Sequence, residues 1–481
     1  LTGLIHTSGF ALLRRALAAL VAVPHSAMAI GLVFLLAPSG WLIRILSTAI
    51  TGFDRPPDWN LVPDPYGWGL IVGLMAKEIP FLLMVSLAAM ATLPARQFAQ
   101  IGSSLGYGRL ASWVVLILPL IYRQIRLPMI AVLVFSLSVV DMALLLAPTL
   151  PPPLAILVLN GFLDADLAAR LPASFGAVLQ IGLAVGGIFI WLLGERLGRY
   201  MVHHWRRAGW RLRKADRYLP AVSSIALIPL LAACAGLVAA LLWSVAGSWF
   251  FPNALPQSLQ LLHWQDIASY GPLIRSSFLI AATASLAALL LVLAWSYTAP
   301  SEKFGNRWLL GCILMPFFVP QISFLLGMQI SLSRFGLDGS WLALIWVHMI
   351  FILPYTWLVV IPARQSLDSR LDHVAATLGA SAWQRFRRIH LPVMAYPLGT
   401  ALFIGISVSV ALYLPTVFVG AGRINTITVE AVSLAAGGSR GPAGVAAMLQ
   451  IAIPVLSFIV INSWLRFRFT GFAGMRSGGL Q

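Results

Sequence analysis

The sequence predicts an all-α protein that crosses a membrane many times, and three observations lead to this fold class. Of the 481 residues, 59% are hydrophobic and only 10% are charged, with a mean hydropathy of +0.89. Soluble domains carry about 25% charged residues, so this chain has too little charge to cover the surface of several soluble domains. The apolar residues form long continuous runs rather than alternating ten-residue segments, which favours helices over a β-barrel. An ordinary soluble enzyme and a disordered chain are excluded.

Ten stretches are long and apolar enough to cross a hydrocarbon core of about 30 Å, which takes roughly 20 residues of helix. In chain order, the predicted spans are residues 16–37, 68–93, 119–146, 174–194, 222–246, 272–299, 308–331, 341–361, 391–419 and 444–464. Turn-forming residues separate them, as in 149–153 after the third span and 251–253 after the fifth.

The net charge of +17, from 32 Lys and Arg against 15 Asp and Glu, would indicate nucleic-acid binding in a soluble protein. In this chain the cations divide between the two faces of the membrane instead. When residues 196–217 are placed on one side, 24 Lys and Arg fall on that face and seven on the other, with Lys77 inside a span. The positive-inside rule makes the first face cytoplasmic. Residues 206–220 are therefore interpreted as a basic cytoplasmic linker, and no nucleic-acid partner is expected.

The two halves of the chain repeat one another. Residues 100–119 match residues 373–392 at a constant offset of 273, with Leu-Gly in both copies and Leu-Pro thirteen residues after each Gly. We predict a first repeat at 1–205 and a second at 221–481, both starting on the cytoplasmic side and related by an axis along the membrane normal. In the second copy, the spans 222–246 and 272–299 precede the first span that matches the first copy. The first copy has no corresponding spans before residue 16. We therefore expect an intact protein of twelve spans, of which this chain lacks the first two.

The repeated element is predicted to lie in a cytoplasmic loop of each half, at residues 95–119 and 363–392. Its pattern is that of a short helix, a Gly and a second short helix, because Gly tolerates a bend that a β-carbon would hinder. Pro392 is predicted to end the second helix as the chain returns to the membrane. A helical elbow that occurs twice on one face predicts docking to a partner with two equivalent grooves.

The second copy, "LDSRLDHVAATLGASAWQRFRRIHLP", resembles the EAA loop of permease subunits in binding-protein-dependent ABC importers, with the consensus E-A-A-x-x-x-G and then I-x-L-P. His373 and Gln100 occupy the Glu position, Val374 and Ile101 the first Ala, Ala375 and Gly102 the second Ala, and Gly379 and Gly106 the Gly. Both copies depart from the consensus at the Glu. The whole chain resembles the fused two-in-one permeases of the iron(III) and thiamine type, and "PPDWN", "KEIPFLL" and "VVDMALLLAPTLPPPLAI" are similar to the group called YnjC.

This resemblance implies two parallel repeats of the MetI-like type I importer fold in a bacterial inner membrane. It implies that each loop is a coupling helix in a cleft of one of two ATPase subunits, and that a periplasmic binding protein delivers a small molecule or ion. The coupling residues implied are Gln100, Gly102, Leu105, Gly106, Leu118, Pro119, His373, Ala375, Leu378, Gly379, Leu391 and Pro392.

The sequence offers no sign of catalysis by this chain. Its only lysines, Lys77, Lys214 and Lys303, do not follow Gly, so no Walker A loop is present and ATP and Mg²⁺ are expected on a partner ATPase. His203 and His204 have no carboxylate or Cys companions, and no metal or other cofactor is expected. The alternative function is a secondary transporter of six-plus-six repeats driven by an ion gradient. Such a carrier would not need a duplicated docking loop, which favours the importer.

Among the charged residues within predicted spans, three are candidates for function, because charge inside a membrane is costly and often functional. They are Lys77, Glu78 and Asp141. One interpretation is that the two carboxylates line the translocation pathway and favour a cationic solute. The other is a structural ion pair from Lys77 to Glu78 or to Asp141. The second copy carries no charge at the matching positions.

Overall fold

The computed structural model describes residues 8–59, 62–298 and 307–468, which form helices and connecting turns without a β-strand. The first part of the chain contains α1 Ser8–Ala22, α2 His25–Leu36, α3 Trp41–Leu46, α4 Trp68–Ala91, α5 Ala95–Ser104, α6 Arg109–Ser112, α7 Leu118–Ser138, α8 Asp141–Leu146, α9 Leu154–Leu163, α10 Arg170–Ala208, α11 Leu219–Val245 and α12 Leu262–Gln265. The remainder contains α13 Gly271–Thr298, α14 Arg307–Leu314, α15 Gln321–Arg334, α16 Trp341–Gln365, α17 Ser369–Thr377, α18 Ala382–Arg385, α19 Leu391–Val393, α20 Ala395–Ala411, α21 Leu414–Gly420, α22 Ile427–Ala436 and α23 Arg440–Arg468.

Within these ranges, eight helices are long and apolar enough to cross a membrane. Two bent helix pairs, Trp308–Phe317 with Gln321–Arg334 and Ala382–Val393 with Ala395–Ala411, bring the number to ten if each pair is one span. The prediction of an all-α chain with ten apolar spans is confirmed.

Several predicted span boundaries are wrong. The first predicted span, 16–37, crosses a break at Pro24 between α1 and α2, since Pro has no N–H to continue the helix. The predicted third span is interrupted between α7 and α8, where Val139 has an extended backbone. Helix α10 runs to Ala208, well beyond the predicted end at 194, because the basic segment contains good helix formers until Gly209 ends the helix with φ +66°.

The repeat is visible in the register of the helices. Helix α8 begins at Asp141 and α21 at Leu414, and the ten-residue helices α9 and α22 begin at Leu154 and Ile427, each pair at the offset of 273 found in the sequence. Neither ten-residue helix was among the predicted spans, because both are too short to cross the hydrocarbon core.

The chain forms two compact units. The first comprises the described residues up to Gln265 together with Phe317–Phe324 and Val432–Val445. In it, α2 packs closely on α11, and a β-carbon at Gly31 would lie only 2.5 Å from the carbonyl oxygen of Gly236. The second comprises Asp266–Pro316, Leu325–Ala431 and the residues from Ala446. In it, α13 packs against α16 and α20.

Asp64 fixes the start of α4 on the side predicted to be external. Its carboxylate accepts hydrogen bonds from the backbone N–H groups of Tyr66, Trp68 and Gly69 at 3.0, 2.9 and 2.7 Å. Desolvation by itself would raise the pKa of Asp64, but these three donors outweigh it and hold the pKa below its ordinary value.

Candidate functional site

The first loop (residues 95–119) and the second loop (residues 363–392) make the same turn at their Leu-Gly pair. Gly106 has φ +83° and Gly379 has φ +80°. Each turn is closed by the two hydrogen bonds of a Schellman motif: Tyr107 N–H to Gly102 O and Gly106 N–H to Ser103 O in the first, and Ala380 N–H to Ala375 O and Gly379 N–H to Ala376 O in the second. The pattern "LG" thus marks a helix end that needs a left-handed residue.

The segment after each turn also repeats in register. Helices α6 and α18 are followed by five-residue π-helical turns, Trp113–Ile117 and Phe386–His390, and then by α7 and α19. Pro119 and Pro392 therefore lie in the first turn of the next helix, where a missing N–H costs nothing. The prediction that Pro392 ends the second short helix is wrong, since Pro392 lies in the first turn of α19 instead.

The two loops differ in how the second helix is capped. In the second loop, Ser381 and Gln384 form a capping box: the Ser381 hydroxyl accepts from Gln384 N–H at 3.3 Å, and the Gln384 side chain accepts from Ser381 N–H at 2.8 Å. The first loop has Gly108 at the equivalent position. There, the carboxylate of Asp216 accepts from the N–H groups of Arg109 and Leu110 at 2.8 and 2.9 Å. The cap of the first loop therefore comes from the linker.

Both loops expose the same two apolar positions. Ile101 and Leu105 in the first loop are 49% and 54% exposed, and their equivalents Val374 and Leu378 in the second are 58% and 81% exposed. Exposed apolar side chains at matching positions of two similar elbows are typical of a surface that a protein partner covers.

The other predicted loop residues have mixed environments. Gln100 and His373, at the Glu position of the consensus, are exposed. Gly102 is buried, and a β-carbon there would lie 2.2 Å from Ser112 Oγ, whereas Ala375 in the second loop is half-buried. Leu118, Pro119, Leu391 and Pro392 are half-buried where α7 and α19 begin.

The second loop is tied to itself and to the membrane helices by a cluster around His390. The Nε2 atom of His390 lies 2.7 Å from Asp372 Oδ1 on α17. The ring of His390 stacks on the ring of Tyr297 of α13 at 5.3 Å, and the Arg364 guanidinium of α16 lies 4.6 Å from the centre of the Tyr297 ring. The second loop thereby packs against the ends of α13 and α16.

Lys77 makes neither of the ion pairs considered from the sequence. Its ammonium group donates to the carbonyl oxygens of Leu20, Val21 and Val23 at 3.3, 2.9 and 2.5 Å. These carbonyls lie at the C-terminal end of α1, where the break at Pro24 leaves acceptors without helical partners. A cation is also favoured there by the helix dipole. Lys77 thus stabilises a helix end within the membrane.

The two carboxylates lie in different surroundings. Glu78 Oε1 lies 3.1 Å from Nε2 of His25, the first residue of α2. Asp141 is buried at the first position of α8, directly after the break in the membrane helix. In the second copy, Phe351, Ile352 and Leu414 are buried at the matching positions. At these three matching positions, charged residues therefore occur only in the first copy.

Sequence reasoning missed three contributors to these sites. His25 follows Pro24, and this proline is the one local signal in the sequence for the break between α1 and α2. Asp216 is the only acidic residue between 196 and 217, which sets it apart within the basic segment. Tyr297 carries no local signal, because its role depends on packing against a loop about 90 residues away. Across the described ranges, no three His, Cys, Asp or Glu side chains are grouped so as to hold a metal ion.

Comparison with known proteins gives matches along the chain. The family described as binding-protein-dependent transport system inner membrane component matches residues 296–470. The inner membrane ABC transporter permease protein YnjC of Escherichia coli is 30% identical over 455 residues, which are 93% of this chain and 80% of that protein.

Two further relatives match shorter stretches. The putative 2-aminoethylphosphonate transport system permease protein PhnV of Salmonella typhimurium is 26% identical over 246 residues, 47% of this chain and 91% of that protein. The probable sulfate transport system permease protein cysT of Zygnema circumcarinatum is 27% identical over 208 residues, 37% of this chain and 68% of that protein. All three relatives are transport permeases.

Proposed function

This chain belongs to the permease subunits of binding-protein-dependent ABC transporters, and from that premise we propose that its two loops are the sites where separate ATPase subunits drive transport. The chain is an inner-membrane permease of an ABC importer and is YnjC-like along nearly its whole length. In the proposal, ATP and Mg²⁺ are bound by two copies of an ATPase subunit, and a periplasmic binding protein delivers the solute. The permease itself catalyses no reaction.

One observation carries the proposal. Two elbows of the same backbone geometry expose apolar side chains at the same two positions, Ile101 with Leu105 and Val374 with Leu378. Two such surfaces fit two identical grooves, as a dimer of ATPase subunits would offer. The Schellman turns hold the exposed leucines next to a fixed bend, so a push from the partner would be transmitted to α7 and to α19 with α20.

The experiment replaces Leu105, Leu378 or both with Asp in proteoliposomes that contain the cognate ATPase. A carboxylate in an apolar contact costs affinity, and the central residues of an interface are each worth about 2 kcal/mol or more. We expect each single variant to bind the ATPase weakly and the double variant to abolish uptake. Leu255→Asp, at a 63% exposed apolar residue of an external turn, is the control and should transport normally. Normal ATPase binding and uptake by the double variant would contradict the coupling role.

We further propose that Glu78 and Asp141 line the route of the solute and favour a cation. Support comes from Lys77, which contacts backbone carbonyls and is within ion-pair distance of neither carboxylate in the part of the chain described. Asp141 also lies at a helix break, where the backbone of a transport pathway is commonly opened.

Asp141→Asn tests this role because it removes the charge and keeps the shape. We expect it to impair uptake of the solute delivered by the binding protein while the amount of ATPase that co-purifies stays unchanged. Asp58→Asn, at an exposed acidic residue of an external loop, is the matched control. Unchanged uptake in Asp141→Asn would remove this residue from the pathway.

A further inference from the structure

The connection between α10 and α11 does not pass freely from one helix to the next but lies along the first loop. Gly108 N–H donates to Arg211 O at 2.9 Å, and Arg213 Nε donates to Gly106 O at 2.8 Å. Asp216 accepts from Arg109 N–H and Leu110 N–H, as described above. Arg206, in the last turn of α10, donates to Val115 O. We call residues 211–216 the linker clamp.

The clamp contacts the part of the first loop that matters for docking. Its hydrogen bonds reach the carbonyl of the left-handed Gly106 and the first free N–H groups of α6, on both sides of the bend. A β-carbon at Gly106 would lie 3.1 Å from guanidinium nitrogens of both Arg211 and Arg213. At Gly379, the equivalent glycine, a β-carbon would meet nothing within 4 Å. The first turn is therefore enclosed by the linker, and the second turn stands open.

The clamp also replaces a group that the first loop lacks. Ser381 and Gln384 cap the second helix of the second loop from within, whereas Gly108 has no side chain to do so. The carboxylate of Asp216 satisfies the N–H groups that this Gly leaves free. Leu212 has a left-handed φ of +40°, a conformation that a branched residue adopts only where its surroundings fix it. The linker therefore has a defined shape against the loop.

We propose that the linker clamp is a built-in part of the first ATPase-docking element, with Asp216 as a positioning residue, so that one docking site depends on the linker and the other does not. This inference rests on the proposed coupling function of the two loops. It assigns to the basic segment a role besides membrane topology. It also makes the two docking sites different in a chain that would otherwise present the same elbow twice.

The test measures docking at each loop separately. In a parent with Cys234→Ala and Cys312→Ala, either Leu105→Cys or Leu378→Cys is introduced, labelled with benzophenone maleimide and photo-cross-linked to the cognate ATPase at limiting concentration. Asp216→Ala removes both cap acceptors, and Asp216→Asn keeps one oxygen acceptor but loses the charge. Arg217→Ala is the matched linker control, because Arg217 contacts Tyr218 beside it. Hydrogen exchange at residues 106–110 reports the order of the loop in the full chain without the ATPase.

We expect Asp216→Ala to lower the yield at Leu105 by about 2- to 30-fold, the range for loss of a helix cap, and to leave the yield at Leu378 unchanged. Asp216→Asn should lower the cross-linking yield at Leu105 by less. Arg217→Ala should leave the yield unchanged at both Leu105 and Leu378. Exchange at residues 106–110 should rise in the same order.

Three results would overturn the inference. The first is an unchanged yield at Leu105 in Asp216→Ala, and the second is an equal loss at both loops, which would mean a general folding defect. The third is an equal loss of yield at Leu105 in Asp216→Asn and Asp216→Ala. This result would mean that the charge of Asp216 is responsible for the effect and its hydrogen bonds to α6 are not. If neither cysteine cross-links in the parent, the coupling function itself fails and this inference fails with it.

Discussion

The left-handed glycine of the second loop offers the sharpest test of the coupling geometry. Gly379 has φ +80°, and a β-carbon built on it meets no atom within 4 Å. Substitution there changes the backbone preference without introducing a clash. The series Gly379→Asn, Gly379→Ala and Gly379→Val should be increasingly harmful, because Asn tolerates the left-handed region, Ala does so poorly and a β-branched residue hardly at all.

The expected free-energy cost of replacing Gly379 follows from its backbone conformation alone. A left-handed residue other than Gly costs about 1–2 kcal/mol, which changes the equilibrium of the closed turn by about 5- to 30-fold. No packing energy is added at Gly379, since the site is open. The same change at Gly106 should cost more, because Arg211 and Arg213 approach the added carbon at 3.1 Å.

Two measurements follow the perturbation. Hydrogen exchange at Ala380 N–H, which closes the turn on Ala375 O, should accelerate by about the same 5- to 30-fold in Gly379→Ala. In proteoliposomes with the ATPase, solute transported per ATP hydrolysed should fall. Gly198→Ala is the control, since Gly198 lies within α10 with nothing within 4 Å of an added β-carbon. If Gly379→Val exchanges and transports like the parent, the turn geometry does not serve coupling.

Two further predictions concern stability. Lys77→Met removes the ammonium donor from the carbonyls of Val21 and Val23, whereas Leu20 O keeps the Val23 N–H, so it should lower the free energy of unfolding by about 1–3 kcal/mol, measured by thermal unfolding in detergent against the control Met75→Leu. An unfolding temperature equal to that of the parent would show that the carbonyls do not need Lys77. Asp64→Asn should be destabilising at pH 7, and the difference from the parent should vanish as the pH is lowered. Because the folded pKa of Asp64 lies below its ordinary value, its contribution is complete above about pH 4 and is lost as the pH falls through the folded pKa. A difference that stays constant down to pH 3 would refute this assignment.

Much of the geometry of the two loops was open to prediction, because its determinants are local. The Leu-Gly pairs at an offset of 273 predicted two bends, and both occur with φ near +80°. A helix end of this kind is decided by a few consecutive residues and by the absence of a β-carbon. The same local reasoning misplaced Pro392, because a proline after a helical run can begin a helix as well as end one.

The intramembrane charges show where such reasoning stops. The sequence placed Lys77 beside Glu78 and suggested a pair, whereas the nearest acceptors of Lys77 are carbonyls 54 to 57 residues earlier in the chain. A backbone acceptor has no residue type that would identify it in a sequence. Only the path of α1 past α4 shows that these carbonyls are close to Lys77.

By itself, the sequence determined the membrane class, the all-α fold and the two glycine bends, because each depends on hydropathy or on backbone preference within a short window. The tertiary structure decided which partners complete each element: Asp216 as the cap of α6, the carbonyls around Lys77, and Tyr297 beneath His390. These contacts join residues far apart in the chain. Their energy depends on distances and orientations that exist only once the helices have packed.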